Sequence, residues 1–213
     1  MLKRLQTDKE EFYNAWSHGI GFISGLVGIP FLLLRANGFE EPGFLLACMA
    51  FSIGILMVYS SSTLYHLAKP GHRKDHFQKA DHISIYFLIA GSYTPMILTV
   101  LQREKAILFL AILWAFVLAG SIFKFFFAGK YKFVSVGLYL AMGWVSVFLL
   151  KAMWENLSGE ILTWIAVGGL SYSVGVYFYV NSNRLYYHTI WHVFVLFGTI
   201  SHFISVMLMM KNP

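Results

Sequence analysis

Seven long hydrophobic runs dominate this 213-residue sequence. Each run is about long enough to cross a hydrocarbon core of about 30 Å, which takes roughly 20 helical residues. The runs are continuous and do not alternate between apolar and polar positions, which favours transmembrane helices over the strands of a membrane β-barrel. They lie at 14–35, 43–66, 82–101, 106–127, 131–150, 161–180 and 189–210. The sequence therefore predicts an all-α membrane protein, a bundle of seven transmembrane helices.

The composition supports this prediction, because 58% of the residues are apolar and only 12% are charged, whereas a soluble domain carries about 25% charged residues. The connections between the runs are short, so we expect residues 1–213 to form a single transmembrane domain. The single cysteine, Cys48, lies inside the second run and excludes a disulfide framework. A net charge of +6 can indicate nucleic acid binding, but the basic residues here flank the apolar runs. Membrane orientation explains that placement better, and no nucleic acid partner is expected.

The lysines and arginines are divided unequally between the two sides of the predicted bundle. Cytoplasmic loops of membrane proteins carry the excess of these residues, so the richer side is predicted to be cytoplasmic. The amino terminus is then inside and the carboxyl terminus outside, which requires an odd number of helices. The richer side holds eleven (Lys3, Arg4, Lys9, Lys69, Arg73, Lys74, Lys79, Lys124, Lys130, Lys132, Arg184) and the poorer side five (Arg35, Arg103, Lys105, Lys151, Lys211).

This topology brings the residues capable of chemistry to one depth, at the cytoplasmic ends of the helices. Ionisable groups inside a membrane are costly and usually functional, so their convergence is informative. We expect this layer to contain Glu11, Asn14 and His18 where the first helix opens, His66 where the second closes, Asp81 and His82 where the third opens, and His188 and His192 where the seventh opens.

The candidate metal ligands are three histidines of this layer. His188 and His192 are four residues apart and lie on one helix face, so they can bind one metal ion. His66 adds an imidazole from another part of the chain, and three histidines with an open fourth position are typical of a catalytic zinc site. The alternative for His66 is an ordinary interfacial histidine. His72 and His76 have the same spacing, but their basic surroundings predict a solvated loop.

Two polar residues accompany the histidines. Ser62 lies one turn before His66 and could hydrogen-bond a water molecule or a substrate oxygen, although small polar residues also serve helix packing in membranes. Asp81 could act as a general base, and its alternative role is to cap the third helix. His18 could support the site or be a hydrogen-bonded packing residue.

These motifs together resemble the bacterial hemolysin III proteins, which belong to the progestin and adipoQ receptor family. The resemblance spans all seven predicted helices, and its ordered set of motifs is more specific than any one of them. The motifs are Asn14-Ala-Trp-Ser-His18-Gly19, Ser62-Thr-Leu-Tyr-His66, Asp81-His82-Ile-Ser-Ile-Tyr86 with Ala90-Gly-Ser-Tyr-Thr-Pro95, and His188-Thr-Ile-Trp-His192.

The resemblance implies a multi-pass protein of the bacterial plasma membrane with a zinc ion held by His66, His188 and His192, and with Ser62 and Asp81 beside it. In the adiponectin-receptor branch such a zinc is associated with ceramide hydrolysis. A zinc-dependent hydrolase of lipid amides or esters, ceramidase-like and active in membrane lipid homeostasis, is therefore one expectation. The alternative is a non-enzymatic cytolytic or membrane-sensing protein with a structural metal.

Overall fold

The computed structural model describes residues 4–210, and within that range the chain is helical, without strands. Seven helical spans are long and apolar enough to cross a membrane, which confirms the predicted architecture of a multi-pass membrane protein. The fifth span, Lys132–Asn156, consists of two helices joined by the 3-10 stretch Val145–Leu149. The helices are α1 Asp8–Asn37, α2 Phe44–Leu67, α3 His72–Val100, α4 Arg103–Phe127, α5 Lys132–Gly143, α6 Leu150–Asn156, α7 Gly159–Val180 and α8 Tyr187–Met209.

Helices α1 and α3 begin well before the hydrophobic runs predicted for them. A capping box starts α1: the Thr7 hydroxyl accepts from the Glu10 amide, and the Glu10 carboxylate accepts from the Thr7 amide at 2.9 Å. Because such a cap satisfies the free amides of the first turn, the helix continues into the polar region beyond the lipid-facing run.

The third span corrects two expectations. Because α3 begins at His72, the predicted solvated loop around His72 and His76 is wrong; both histidines are exposed, but they lie on a helix. Gly71 is the residue that precedes α3, so the alternative role of Asp81 as a helix cap is also wrong. Asp81 lies within the helix, in its third turn.

The break in the fifth span has a polar partner. The Tyr93 hydroxyl of α3 donates to the Gly143 carbonyl oxygen at 2.5 Å and accepts from the Ser146 amide at 3.1 Å. Backbone groups within a bilayer must be satisfied inside the protein, and this side chain supplies bonds at the point where the helical pattern is interrupted. The sequence run at 131–150 gave no sign of this interruption.

Close packing of α2 against α3 holds the centre of the bundle. A side-chain carbon at Gly54 would lie 2.8 Å from both the Leu88 Cα and the Phe87 carbonyl oxygen, so only glycine allows this approach. α2 also packs against α1, and α8 packs against α1 and α7. The end of α2, the start of α8 and the first turns of α1 are thereby neighbours.

Substitution of Gly54 by alanine is expected to lower the melting temperature of the detergent-solubilised protein. The added methyl group meets backbone atoms that cannot rotate away, and overpacking of this kind costs about 1–3 kcal/mol. Gly169→Ala is the matched control, because a side chain there has nothing within 4 Å. Alanine is the better helix former by about 1 kcal/mol, so the control should melt at the same temperature or higher. Equal melting of the two variants would contradict the packing argument.

The orientation of the bundle remains a prediction from charge. Lys3 and Lys211, which entered that count, lie outside the described residues. Reporter fusions should place the segment from Lys69 to Lys79 in the cytoplasm, and an external location for that segment would reverse the assignment.

Candidate metal centre

Three imidazoles meet where α2 ends and α8 begins, which we call the histidine end of the bundle. His66, His188 and His192 each place a ring nitrogen within 4.8 Å of the others. Their ring centroids are 5.2 Å apart for His66 and His188, 5.0 Å for His66 and His192, and 4.7 Å for His188 and His192. His66 and His192 are buried, and His188 is half-buried. The structure thus brings together the three histidines that the sequence singled out.

The turn that leads into α8 is fastened by the amino-terminal segment. Tyr186 precedes α8 in the left-handed conformation, with φ of 60°. Its amide donates to the Glu10 carboxylate at 3.0 Å, and Arg4, which pairs with Glu10, donates to the Asn183 carbonyl oxygen at 3.0 Å. A left-handed non-glycine residue is uncommon and needs support from its surroundings. These bonds give that support, and they fix the helix start from which His188 projects.

The His66 ring is oriented by a carboxylate. Its Nδ1 lies 2.5 Å from Glu11 Oε2, and the other Glu11 oxygen accepts from the Lys74 ammonium at 2.8 Å. His66 Nε2 is buried without a hydrogen-bond partner. A carboxylate that holds one ring nitrogen while the other faces a metal is the usual support for a histidine ligand. The unpartnered Nε2 therefore has the position expected of a metal ligand.

The His192 ring is held in the same way by α1. Its Nδ1 is 3.1 Å from both the Asn14 carbonyl oxygen and the Ser17 hydroxyl. A hydrogen on Nδ1 that donates to the carbonyl leaves Nε2 with its lone pair for a metal. The Asn14 side chain in turn accepts from the Thr189 hydroxyl of α8 at 2.5 Å. The first turns of α1 thus position α8 through both backbone and side-chain bonds.

These donors fit a single metal ion. Three nitrogens bound tetrahedrally at about 2.1 Å from one ion lie about 3.4 Å apart, so small side-chain rotations close the observed spacing of up to 4.8 Å. Among the described residues, no cysteine, aspartate or glutamate completes the group. The arrangement can therefore hold an ion through three neutral imidazoles and leave one position of a tetrahedron open.

Ser62 and Asp81 lie beside each other near this cluster. Ser62 is one helical turn before His66 on α2, only 1% exposed, and its hydroxyl makes no hydrogen bond of good geometry. The Asp81 carboxyl group on α3 lies close enough to the Ser62 hydroxyl to interact with it. Asp81 does not belong to the group whose ligand atoms lie within 4.8 Å of one another.

His18 is packed more closely into the site than the sequence suggested. Its ring stacks on His192 with centroids 3.6 Å apart and lies edge-on to Tyr59 at 5.0 Å. His18 was expected either to support the site or to be a hydrogen-bonded packing residue. It does pack against its neighbours, but neither ring nitrogen makes a hydrogen bond of good geometry. The stacking restricts the rotation of His192, so His18 contributes to the shape of the cluster.

Glu11→Gln is expected to weaken metal binding about 10- to 100-fold, the usual cost of losing a residue that supports a histidine ligand. The amide keeps the size of the side chain but loses the charge that links His66 to Lys74. Affinity can be measured by competition with a chromogenic chelator. Glu40→Gln, an exposed glutamate between α1 and α2, should leave the affinity unchanged. The same affinity in both variants would show that Glu11 does not support the ligand.

The comparisons with known proteins give matches over most of the chain. The family model described as haemolysin-III related matches residues 6–203. A hemolysin-3 homolog of Bacillus subtilis (strain 168) is 36% identical over 201 residues, which cover 94% of each chain. Hemolysin-3 of Bacillus cereus is 34% identical over 207 residues, or 97% of this chain and 94% of that protein. The human monocyte to macrophage differentiation factor is 28% identical over 203 residues, or 92% and 83% of the two chains. No solved structure gives a significant match.

Proposed function

Because the chain belongs to the haemolysin-III-related family of membrane proteins and gathers three imidazoles at one end of its bundle, we propose that it is a zinc-dependent hydrolase of lipid amides or esters. It would act in the bacterial plasma membrane on lipids of the surrounding bilayer. The observation that carries this proposal is the ligand count. Three histidines with no fourth ligand among the described residues are typical of catalytic zinc sites, whereas structural sites are normally closed by four protein ligands.

Zinc is the metal that suits this donor set. Imidazole nitrogens bind zinc well, and the absence of carboxylate and thiolate ligands from the group disfavours calcium, magnesium and iron–sulfur clusters. When bound by three neutral imidazoles, zinc retains its charge, lowers the pKa of water to about 7 and polarises carbonyl groups.

The neighbouring side chains can perform the proton transfers of hydrolysis. The Asp81 carboxylate is a natural acceptor for the proton of the attacking water, and it can return that proton to the leaving amine or alcohol. The buried Ser62 hydroxyl makes no hydrogen bond of good geometry within the protein. It can donate to the substrate carbonyl oxygen as that oxygen gains negative charge. Glu11, Asn14 and Ser17 hold the imidazoles in position.

The depth of the site matches a lipid substrate. His66 lies next to the last residue of α2, and His188 is the second residue of α8. The ends of spanning helices lie near the headgroups, where an amide or ester bond joins the polar and apolar parts of a lipid. A lipid could therefore bring its polar linkage to the cluster while its chains stay in the bilayer.

The experiment compares metal-stripped and zinc-reloaded protein after reconstitution in vesicles. Ceramides and bacterial lipid extracts are offered, and released fatty acid is followed by mass spectrometry. We expect release from at least one lipid class with zinc and none after stripping. Absence of release across the panel, or equal release with and without metal, would contradict the hydrolase proposal.

A second function is favoured by the way the cluster joins α2 to α8 and by the names of the two Bacillus relatives. In this alternative the ion is a structural clamp in a cytolytic or membrane-sensing protein. This alternative predicts that removal of the metal lowers the stability of the protein, and that no metal-dependent lipid hydrolysis is detected.

A further inference from the structure

A groove of about 610 Å³ lies at the turn between α2 and α3, outside the metal cluster. Its walls divide into two kinds. Leu64, Leu67 and Phe77 form the apolar part, and Lys69, His72 and Arg73 form a basic part. Leu64 and Leu67 are 44% and 64% exposed at the end of a membrane-spanning helix, where lipid is expected to contact exposed apolar side chains.

The positive charges of Lys69 and Arg73 in the groove are not paired with an acidic side chain. Among the ion pairs formed within residues 4–210, none involves Lys69 or Arg73. The neighbouring Lys74 differs, because it pairs with Glu11 and donates to the Ala68 carbonyl oxygen at 3.3 Å. Asp75 is the acidic residue of the same helical turn, but it does not line the groove. A ligand in the groove therefore meets two cations above an apolar wall.

We propose that this groove binds the headgroup of an anionic phospholipid from the leaflet at the histidine end. The phosphate would lie against Lys69 and Arg73, and the first part of the acyl chains would lie along Leu64 and Leu67. Charge complementarity selects the headgroup, and the apolar wall selects a lipid over a soluble phosphate.

This lipid site is independent of the proposed hydrolysis. It uses none of the three histidines, and it requires no metal. It is nevertheless adjacent to the metal cluster, since Ala68 lines the groove and accepts from the same Lys74 that holds Glu11. A bound lipid would thus lie next to the residues that orient His66.

The test is a lipid titration of the full-length protein in detergent, followed by native mass spectrometry. The probes are phosphatidylglycerol, phosphatidylcholine with the same acyl chains, and inorganic phosphate. The test variant is Lys69→Gln/Arg73→Gln. The control is Lys9→Gln/Lys130→Gln, which removes two exposed charges predicted to face the same side of the membrane.

We expect wild type to retain one phosphatidylglycerol more tightly than phosphatidylcholine. The test variant should lose phosphatidylglycerol affinity about 10- to 30-fold, because each lysine or arginine contributes about 1 kcal/mol to binding anionic lipid, a factor of about five. The control pair should change it less than about threefold. Lys69→Arg/Arg73→Lys should fold and keep the binding, since it preserves both charges.

Three results would overturn the proposal. Equal losses in the test and control variants would indicate diffuse surface attraction without a site. Equal retention of the two lipids by wild type would exclude selection by charge. Displacement of phosphatidylglycerol by inorganic phosphate at similar concentrations would indicate a phosphate site instead of a lipid site.

Discussion

Substitution of Asp81 by asparagine is expected to reduce lipid hydrolysis about 10²- to 10⁴-fold, the usual contribution of a general base. Asparagine keeps the shape of the side chain and remains next to Ser62, but it cannot accept the proton of the attacking water. Because Asp81 lies outside the group of three ligands, the metal content should remain that of wild type. Initial rates of fatty acid release and elemental analysis on the same samples measure both quantities.

Asp75→Asn is the matched control for this variant. Asp75 lies on the same helix, six residues earlier, and is exposed, so its loss should leave both rate and metal content unchanged. Loss of metal from Asp81→Asn would make Asp81 a ligand or a structural support. Hydrolysis by Asp81→Asn at the wild-type rate would show that Asp81 does not take part in the proton transfer.

The double variant His188→Ala/His192→Ala is expected to lose the metal ion and much of the metal-dependent stability. One remaining imidazole cannot hold an ion that needs three ligands, and the link between α2 and α8 is broken. At free metal concentrations of 100 to 1,000 times the dissociation constant, bound metal stabilises a folded protein by about 2.7–4.1 kcal/mol. Melting temperatures of wild type and variant, each with and without a chelator, measure this contribution.

The chain provides its own control in His72→Ala/His76→Ala. These histidines have the same spacing on α3, but they are exposed. We expect the control to bind metal and to melt at a lower temperature when the chelator is present, as wild type does. The variant at positions 188 and 192 should melt at one temperature under both conditions. A chelator-induced shift in that variant would place the stabilising metal elsewhere.

The architecture was predictable because lipid leaves few alternatives. A run of about 20 apolar residues in a bilayer must satisfy its own backbone, and a helix does so within one segment. The helix starts at Asp8 and His72 were not predictable from hydropathy, because a cap or a glycine sets them rather than the edge of the lipid. At the interruption after Gly143 the backbone is bonded by the hydroxyl of Tyr93, a residue 50 positions away, and sequence alone does not reveal such a contact.

The site was predictable in its depth but not in its details. Topology alone brings His66 to the level of His188 and His192, since one helix ends where the other begins. The bond between Glu11 and His66 depends on how α1 is rotated about its axis. The same holds for the stacking of His18 on His192. Glu11 was assigned to the correct layer, but only the packed structure gives it a partner.

The metal centre itself is tested most directly by elemental analysis and zinc-edge X-ray absorption of the protein purified in mild detergent and supplied with zinc. We predict one zinc per chain, with three imidazole nitrogens at about 2.0–2.1 Å, and no zinc in His188→Ala/His192→Ala. A sulfur ligand at about 2.3 Å, which only Cys48 or a methionine could supply, would contradict this prediction. So would stoichiometric zinc in the double variant.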